Sequence, residues 1–131
     1  MVRSSSSGFT LIELLVAVAI LGILATVAIP SYVRSLESSK GRESEMALRA
    51  ILEAERSYYF DVIPNSYGTV ANLIPTYLLV SPDSANWTYG INAPGVAPFG
   101  AFIATATRQS GSRSGQTRTI TQAGVIAPAT W

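Results

Sequence analysis

The sequence comprises 131 residues, carries a net charge of +1 and contains neither cysteine nor histidine. It is long enough for one small domain, and it lacks disulfides, the commonest zinc ligands and the residues of Ser-His-Asp and Cys-His nucleophile systems. The balanced charge also offers no basic patch for nucleic acid, so we expect no direct nucleic-acid interface. From the missing residue types we expect no enzyme, no catalytic or metal site and no cofactor.

The first element is a long apolar segment. Residues 9–30 follow a short serine-rich start and are almost entirely apolar. At about 1.5 Å per residue a helix over this segment is roughly 30 Å long, which matches the hydrocarbon core of a bilayer. A secretory signal would end in a small-residue cleavage site, but this segment continues into Ser31 and Tyr32. One interpretation is therefore an uncleaved membrane anchor, with Arg3 on the cytoplasmic side.

Three residues interrupt the apolar pattern of this segment. Glu13 places a carboxylate near its start, where a position close to the interface costs less than the about 2.5–3.5 kcal/mol of a charge at the membrane centre. Pro30 lacks an amide proton and clashes with the preceding turn, so it predicts a kink or an interruption near Thr26. Gly22 is a second helix-weakening position, at about 1 kcal/mol relative to alanine.

The stretch Gly8-Phe9-Thr10-Leu11-Ile12-Glu13-Leu14 resembles the class III signal of type IV pilins and pseudopilins, and the resemblance is close over residues 8–32. It implies that residues 1–8 are a leader, which prepilin peptidase removes by cutting after Gly8 on the cytoplasmic side. The same enzyme would then methylate the new amine of Phe9. The apolar segment would be retained.

The resemblance also implies roles in assembly. In this family the glutamate that corresponds to Glu13 is thought to meet the terminal amine of a neighbouring subunit, here on Phe9. Such a pair is favourable because a buried amine and a buried carboxylate satisfy each other, whereas a lone buried charge is costly. Gly22 and Pro30 match positions at which the helix would unwind in a filament. The alternative for Glu13 is that it extends to the membrane interface.

Residues 31–59 are predicted to continue the helix. Their second half has an apolar stripe at helical spacing, which predicts packing on a sheet. The stripe consists of Ala47, Ala50, Ile51, Ala54 and Tyr58, widened by Leu48, Leu52 and Tyr59. The polar positions are predicted to form a solvated or subunit-facing rim that contains Glu43, Glu45, Glu53 and Glu55.

The remainder is predicted to be a loop followed by strands. Residues 60–86 form the loop, with one helical turn at 70–74. Strands are predicted at 87–91, 101–108 and 117–122, and the tail 125–131 is a candidate edge strand. Along 101–108 the pattern places Phe102, Ala104 and Ala106 on one face. The fold class is therefore α+β. A long helix, half transmembrane and half amphipathic, packs on an antiparallel sheet of three to four strands, which resembles the ladle fold of type IV pilins.

Two further features concern the head, residues 31–131. Asn86-Trp87-Thr88 matches a glycosylation sequon, a triplet that is common by chance. Many pilins close their C-terminal region with a disulfide, which this chain cannot form. Its tail must be held by packing and hydrogen bonds, for which Trp131 is a candidate plug.

These observations predict a structural subunit of a type IV pilus, used in adhesion, twitching motility or DNA uptake. Its expected partners are other copies of itself, prepilin peptidase, the pilus assembly platform, minor pilins and the bacterial cytoplasmic membrane before assembly. Its expected final location is an extracellular filament. One alternative is a pseudopilin of type II secretion. The major pseudopilins typically bind calcium in an acidic loop. Only Asp61 and Asp83 follow the predicted helix here, which is too few carboxylates for such a site and favours a pilus subunit. The other alternative is an uncleaved single-span periplasmic binding protein.

Overall fold

The computed structural model describes residues 8–62, 66–92 and 101–128. The predicted leader residues before Gly8, the turn at 93–100 and Trp131 lie outside them. The chain divides into two compact units, Met1–Glu37 and Ser38–Trp131. The first unit contributes the apolar helical segment, and the second contains the rest of the same helix, a short helix and a sheet.

The helix α1 extends without interruption from Leu11 to Asp61 and contains Pro30 in its interior. Of the two outcomes predicted for Pro30, a kink or an interruption, the interruption does not occur in the single chain, and the helix ends at Asp61 rather than at the predicted Tyr59. Proline removes one intrahelical hydrogen bond, while the turns before and after it keep theirs. Thr26 lies in the turn before the proline, and its hydroxyl donates to the carbonyl oxygen of Ile23 at 2.6 Å.

A four-stranded antiparallel sheet forms the other layer of the second unit. Its strands are β1 (Trp87–Asn92), β2 (Ile103–Arg108), β3 (Thr117–Thr121) and β4 (Ile126–Ala127), in the spatial order β1-β2-β3-β4. Trp87 lies opposite Arg108, and Ala104 lies opposite Ile120. The three predicted strands and the candidate edge strand are confirmed, each within two residues at its start and with a shorter extent for the edge. The α+β fold is confirmed with them.

The core lies between the second half of α1 and one face of the sheet. Phe102, Ala104 and Ala106 are buried, as the alternation predicts. The helix contributes Leu48, Ile51, Leu52 and Ala54 to the same cluster, and the sheet adds Trp87, Tyr89 and Ile120. The small side chains of Ala104 and Ala106 allow the helix to approach the sheet closely.

Two predictions for this half of α1 are wrong. Ala50 is exposed although the predicted stripe includes it. Glu55 is fully buried within the chain, although the prediction places it on a solvated or subunit-facing rim. The buried face is centred on Leu48, Ile51 and Leu52, which moves Ala50 to the outside and Glu55 to the inside. The sequence pattern did not show that the buried face is rotated in this way relative to the predicted apolar stripe.

Side chains of the sheet also bind backbone carbonyl groups of α1. The indole Nε1 of Trp87 donates to the carbonyl oxygen of Lys40 at 2.9 Å. The guanidinium Nη1 of Arg118 donates to the carbonyl oxygen of Gly41 at 2.8 Å, and the hydroxyl of Ser44 donates to the same oxygen at 2.7 Å. These bonds fix residues 40–44 of the helix against β1 and β3.

The connection between α1 and β1 contains one helical turn, α2 (Val70–Leu73), as predicted. The hydroxyl of Thr69 donates to Oδ1 of Asn72 at 2.6 Å, and the amide of Thr69 donates to the same oxygen at 2.9 Å. Further along, Oδ1 of Asp83 accepts the amide of Tyr89 at 2.8 Å. This bond covers the outer edge of β1, where unpaired amides would otherwise favour strand addition.

Candidate functional site

The N-terminus of α1 is closed by Thr10 and Glu13. The amide and the hydroxyl of Thr10 each donate to Oε2 of Glu13 at 2.9 Å. In return, the amide of Glu13 donates to the hydroxyl oxygen of Thr10 at 3.3 Å. This reciprocal pattern is a capping box, which satisfies backbone amides that the first turn of a helix leaves without partners. The Glu13 side chain therefore has a defined orientation within the single chain.

This position suits a carboxylate electrostatically. The first turn of a helix presents the positive end of the helix dipole, which stabilises a negative charge by about 0.3–1 kcal/mol. Glu13 is also the acidic residue of the first turn of α1. An amine created by a cut between Gly8 and Phe9 would lie at the same helix end. The arrangement thus gathers one carboxylate and one prospective amine at the start of an apolar helix.

Gly8 has no packing role within the described part of the chain. A Cβ built on Gly8 meets nothing within 4 Å, and Phe9 beside it is 82% exposed. The same is true of Gly22, where a Cβ also meets nothing within 4 Å. Neither glycine is required by contacts inside the chain, so any reason for these residues lies in a partner molecule or in backbone flexibility.

The large apolar side chains between Phe9 and Ile29 are exposed in the single chain. Leu11, Ile23 and Val27 are examples, at 82%, 69% and 73% exposure. Among the described residues, α1 is the one helix that is long and apolar enough to cross a membrane. An exposed apolar surface of this extent requires lipid or a protein partner. The segment can therefore be buried either in a bilayer or among other helices.

Comparison with known proteins identifies the segment. A family model described as a prokaryotic N-terminal methylation motif matches residues 3–29. The N-terminal segment is a prepilin-type methylation motif. The chain is also 42% identical over 67 residues to the type IV major pilin protein PilA of Myxococcus xanthus (strain DK1622). The matched region covers 51% of this chain and 30% of that relative, so the chain spans less than a third of the relative it matches. No solved structure matches the chain.

These comparisons confirm the resemblance to type IV pilins, and the family model locates the match at residues 3–29. They do not test the individual roles of Gly8, Phe9, Glu13, Gly22 or Pro30, which remain predictions. The structure brings Glu13 and Phe9 to one end of α1. Gly22 and Pro30 lie further along the same helix, in its apolar part.

Thr10 is a residue of the prepilin-type motif to which sequence reasoning assigned no role. It accepts from and donates to Glu13, so it fixes the carboxylate in the single chain. The signal was available in the sequence, because a threonine followed three residues later by glutamate, ahead of an apolar run, is typical of a capping box. The prediction for Glu13 considered only its charge.

The sequon Asn86-Trp87-Thr88 lies in the head, away from the prepilin-type motif in sequence. The amide Nδ2 of Asn86 donates to Oε2 of Glu43 at 3.0 Å, and the hydroxyl of Ser84 donates to Oε1 of Glu43 at 2.6 Å. Glycosylation replaces a hydrogen on Nδ2 with a bulky sugar. Because this nitrogen is half-buried and bound to Glu43, a sugar would disrupt the contact between α1 and the start of β1.

We therefore expect Asn86 to be unmodified in the folded protein. Peptide mass spectrometry of protein purified from its native cells would show the fragment with residues 86–88 at the unmodified mass. A glycan on this fragment would contradict the expectation, because it would mean that the contact with Glu43 is dispensable. A Glu43→Gln variant is the control for the charge of Glu43, since glutamine retains an acceptor for Asn86. Asn86 is expected to be unmodified in this variant as well.

The described residues contain no group of three or more histidine, cysteine, aspartate or glutamate side chains able to hold a metal ion. The four glutamates of the predicted rim have separate partners instead. Glu45 accepts from Arg49 at 2.9 Å, and Glu53 accepts from Arg56 at 2.8 Å. The Glu53–Arg56 pair is exposed and contributes little to stability. Glu45 is partly buried, and its Oε2 also lies 3.8 Å from Nη2 of the buried Arg118.

Proposed function

We propose that the chain is a structural subunit of a type IV pilus, and that it acts by polymerising rather than by catalysis. The observation that supports this most directly is the prepilin-type methylation motif at residues 3–29, which continues into a helix with an exposed apolar surface. The similarity to a protein described as a major pilin favours a pilus over other assemblies that use such a motif.

The proposed pathway combines what the resemblance to type IV pilins implies with the physical properties of α1. The precursor is held in the cytoplasmic membrane by residues 9–30, and prepilin peptidase cuts after Gly8 and methylates Phe9. The assembly platform then moves the helix from lipid into a bundle of identical helices, together with minor pilins. Both environments are apolar, so the burial of the exposed side chains is retained throughout the transfer. The filament on the cell surface serves adhesion, twitching motility or DNA uptake.

Glu13 provides the register in this proposal. While the subunit is alone, Thr10 satisfies the carboxylate within the capping box. During assembly the carboxylate faces the methylated amine of Phe9 on a neighbouring subunit. A charged pair in an apolar bundle is much more favourable than an unpaired charge, so subunits out of register are disfavoured. Gly22 and Pro30 provide the region where the helix unwinds as subunits pack.

The alternative within the same family is a pseudopilin of type II secretion, since a prepilin-type motif does not separate the two. The composition of surface filaments distinguishes them: a long extracellular filament made mainly of this chain supports the pilus. An uncleaved single-span binding protein is the other alternative, and it is distinguished by the N-terminus of the mature chain.

We expect the protein sheared from the cell surface to begin at N-methyl-Phe9. Intact mass and N-terminal sequencing of the sheared fraction measure this directly. A Gly8→Val variant is expected to remain uncut and in the membrane. The fold provides room for a side chain at this position, so the loss would reflect the peptidase rather than misfolding.

Gly22→Ala is the matched control, because it also adds a Cβ at an open glycine of the same segment. It is expected to be cut normally. A wild-type chain that begins at Met1 and is found only in membranes would contradict the proposed function. It would favour the uncleaved single-span protein.

A further inference from the structure

The second unit contains a carboxyl group buried in its core. Glu55 is fully buried on α1, within the face that packs on the sheet. Its Oε2 accepts the backbone amide of Gly68 at 3.0 Å. Its other oxygen, Oε1, is buried and has no hydrogen-bond partner among the described residues. A buried polar atom without a partner is costly, so this position has a destabilising feature.

The bond partner belongs to the connection between α1 and β1. A Cβ on Gly68 would be 3.2 Å from Cε1 of Tyr58 on α1 and 3.0 Å from Cβ of Asn72 in α2, so Gly68 lies close to both helices. The next residue, Thr69, is the N-cap of α2. On the other side, the ring of Tyr67 packs against Tyr59 with centroids 4.8 Å apart. The hydrogen bond between Gly68 and Glu55 thus attaches the segment 67–72 to α1.

The surroundings of Glu55 favour its neutral form. Burial raises the pKa of Glu55 to about 7, while the hydrogen bond from Gly68 opposes this shift. The neighbouring Arg56 is half exposed and binds Glu53 at 2.8 Å. From the connecting segment the facing titratable group is Tyr67, whose pKa is raised by burial and then by Tyr59 and Glu55. From the sheet, the neighbour of Tyr67 is the apolar Phe102, at 4.9 Å between ring centroids.

We infer that Glu55 is a proton-operated latch on the segment 67–72. With the carboxyl neutral, Oε2 accepts the Gly68 amide and the segment stays seated on α1. With the carboxyl ionised, a buried charge has one hydrogen bond and one bare oxygen, so the segment lifts to admit water. The inference concerns the fold of the second unit and does not depend on the proposed pilus function.

The direction of the pH effect follows from the raised pKa. A released Glu55 titrates near its ordinary value of 4.5, whereas the seated one titrates near 7. The seated state therefore binds more protons between these values. Its stability relative to the released state is greatest below pH 4.5, falls as the pH rises towards 7, and changes little above that.

The experiment uses the full chain in detergent micelles. Carboxyl NMR of the wild type is expected to show Glu55 titrating clearly above its ordinary value of 4.5, at a midpoint no higher than about 7, with the Gly68 amide resonance moving at the same midpoint. Thermal unfolding is expected at a lower temperature at pH 8 than at pH 5. Glu55→Gln retains an oxygen that accepts the Gly68 amide but does not titrate, so most of this difference should disappear.

Glu53→Gln is the matched control, because Glu53 is 68% exposed on the same turn of α1. It should retain the pH dependence of the wild type. A Glu55 carboxyl that titrates near 4.5 would overturn the inference, and this readout needs no variant to fold. A Glu55→Gln protein with the same pH profile as the wild type would overturn it as well.

Discussion

Replacing Glu13 with glutamine is expected to leave leader removal intact and to lower the yield of assembled filaments at least about tenfold. Glutamine can serve in a capping box as glutamate does, so α1 should begin at the same residue. It cannot neutralise the amine of a neighbouring subunit. Leaving one partner of a buried ion pair alone costs about 3–5 kcal/mol, and each 1.4 kcal/mol corresponds to a factor of ten in an equilibrium.

The measurement is the amount of the chain in the sheared surface fraction relative to the membrane fraction, with intact masses recorded for both. Two further variants separate the charge of Glu13 from its capping role. Glu13→Ala removes both. Thr10→Val removes the hydroxyl of the capping box and retains the charge, at an expected cost of about 0.5–2 kcal/mol to the helix end.

If the charge is decisive, Glu13→Gln and Glu13→Ala fail to assemble to a similar extent, while Thr10→Val assembles. The opposite pattern would contradict the proposal: filaments from Glu13→Gln at wild-type yield and none from Thr10→Val. That result would show that Glu13 acts by closing the N-terminus of α1 rather than by pairing with Phe9.

Features that depend on neighbouring residues could be predicted from the sequence. The alternation of Phe102, Ala104 and Ala106 predicts their shared buried face, because side chains alternate along a strand whatever lies opposite. The short turn before Pro75 was likewise predicted from its local pattern. The prepilin-type motif is also a continuous stretch, which is why its match to known proteins agrees with direct inspection of residues 8–14.

Features that depend on distant residues could not. Glu55 is buried because Gly68, thirteen residues further along, reaches it from the connecting segment. An arginine is unexpected on the buried face of β3, yet Arg118 lies there. It can do so because its Nη1 donates a hydrogen bond to the carbonyl oxygen of Gly41. A long charged side chain can be buried when backbone acceptors satisfy it, and the identity of those acceptors is not a local property.

The capping role of Thr10 lies between these two cases. The spacing of Thr10 and Glu13 is local, and it indicates a capping box without any structure. The interpretation of Glu13 as a charge in an apolar segment does not include this capping role. One residue can serve both purposes at different stages, and the variants at Thr10 and Glu13 distinguish them.

Trp87→Ala is expected to have the largest effect on the stability of the second unit. Trp87 is fully buried at the start of β1, and its indole donates to the carbonyl oxygen of Lys40 at 2.9 Å. The guanidinium carbon of Arg108 lies 5.2 Å from the ring centroid. The substitution therefore removes a large core side chain, a hydrogen bond to α1 and the aromatic face against a buried cation.

Removing a buried tryptophan costs about 3–5 kcal/mol, compared with a total stability of about 5–15 kcal/mol for a typical small protein. For a domain of this size, 1 kcal/mol corresponds to about 4–8 °C in the unfolding temperature. We therefore expect Trp87→Ala to unfold at least about 12 °C below the wild type, or not to fold at all. Near-UV circular dichroism of the full chain in detergent micelles measures this transition.

Two variants show where the stabilisation arises. Trp87→Phe retains a ring beside Arg108 but loses the donor to Lys40, so its expected cost is smaller, about 1–2 kcal/mol. Phe60→Ala is the matched aromatic control, because Phe60 is 77% exposed and should change the stability by about 0.5 kcal/mol or less. If Trp87→Ala unfolded at the same temperature as Phe60→Ala, the contact between β1 and residues 40–44 of α1 would not stabilise the head. That result would contradict the conclusion that residues 40–44 of α1 are held against the sheet by the hydrogen bonds from Trp87 and Arg118.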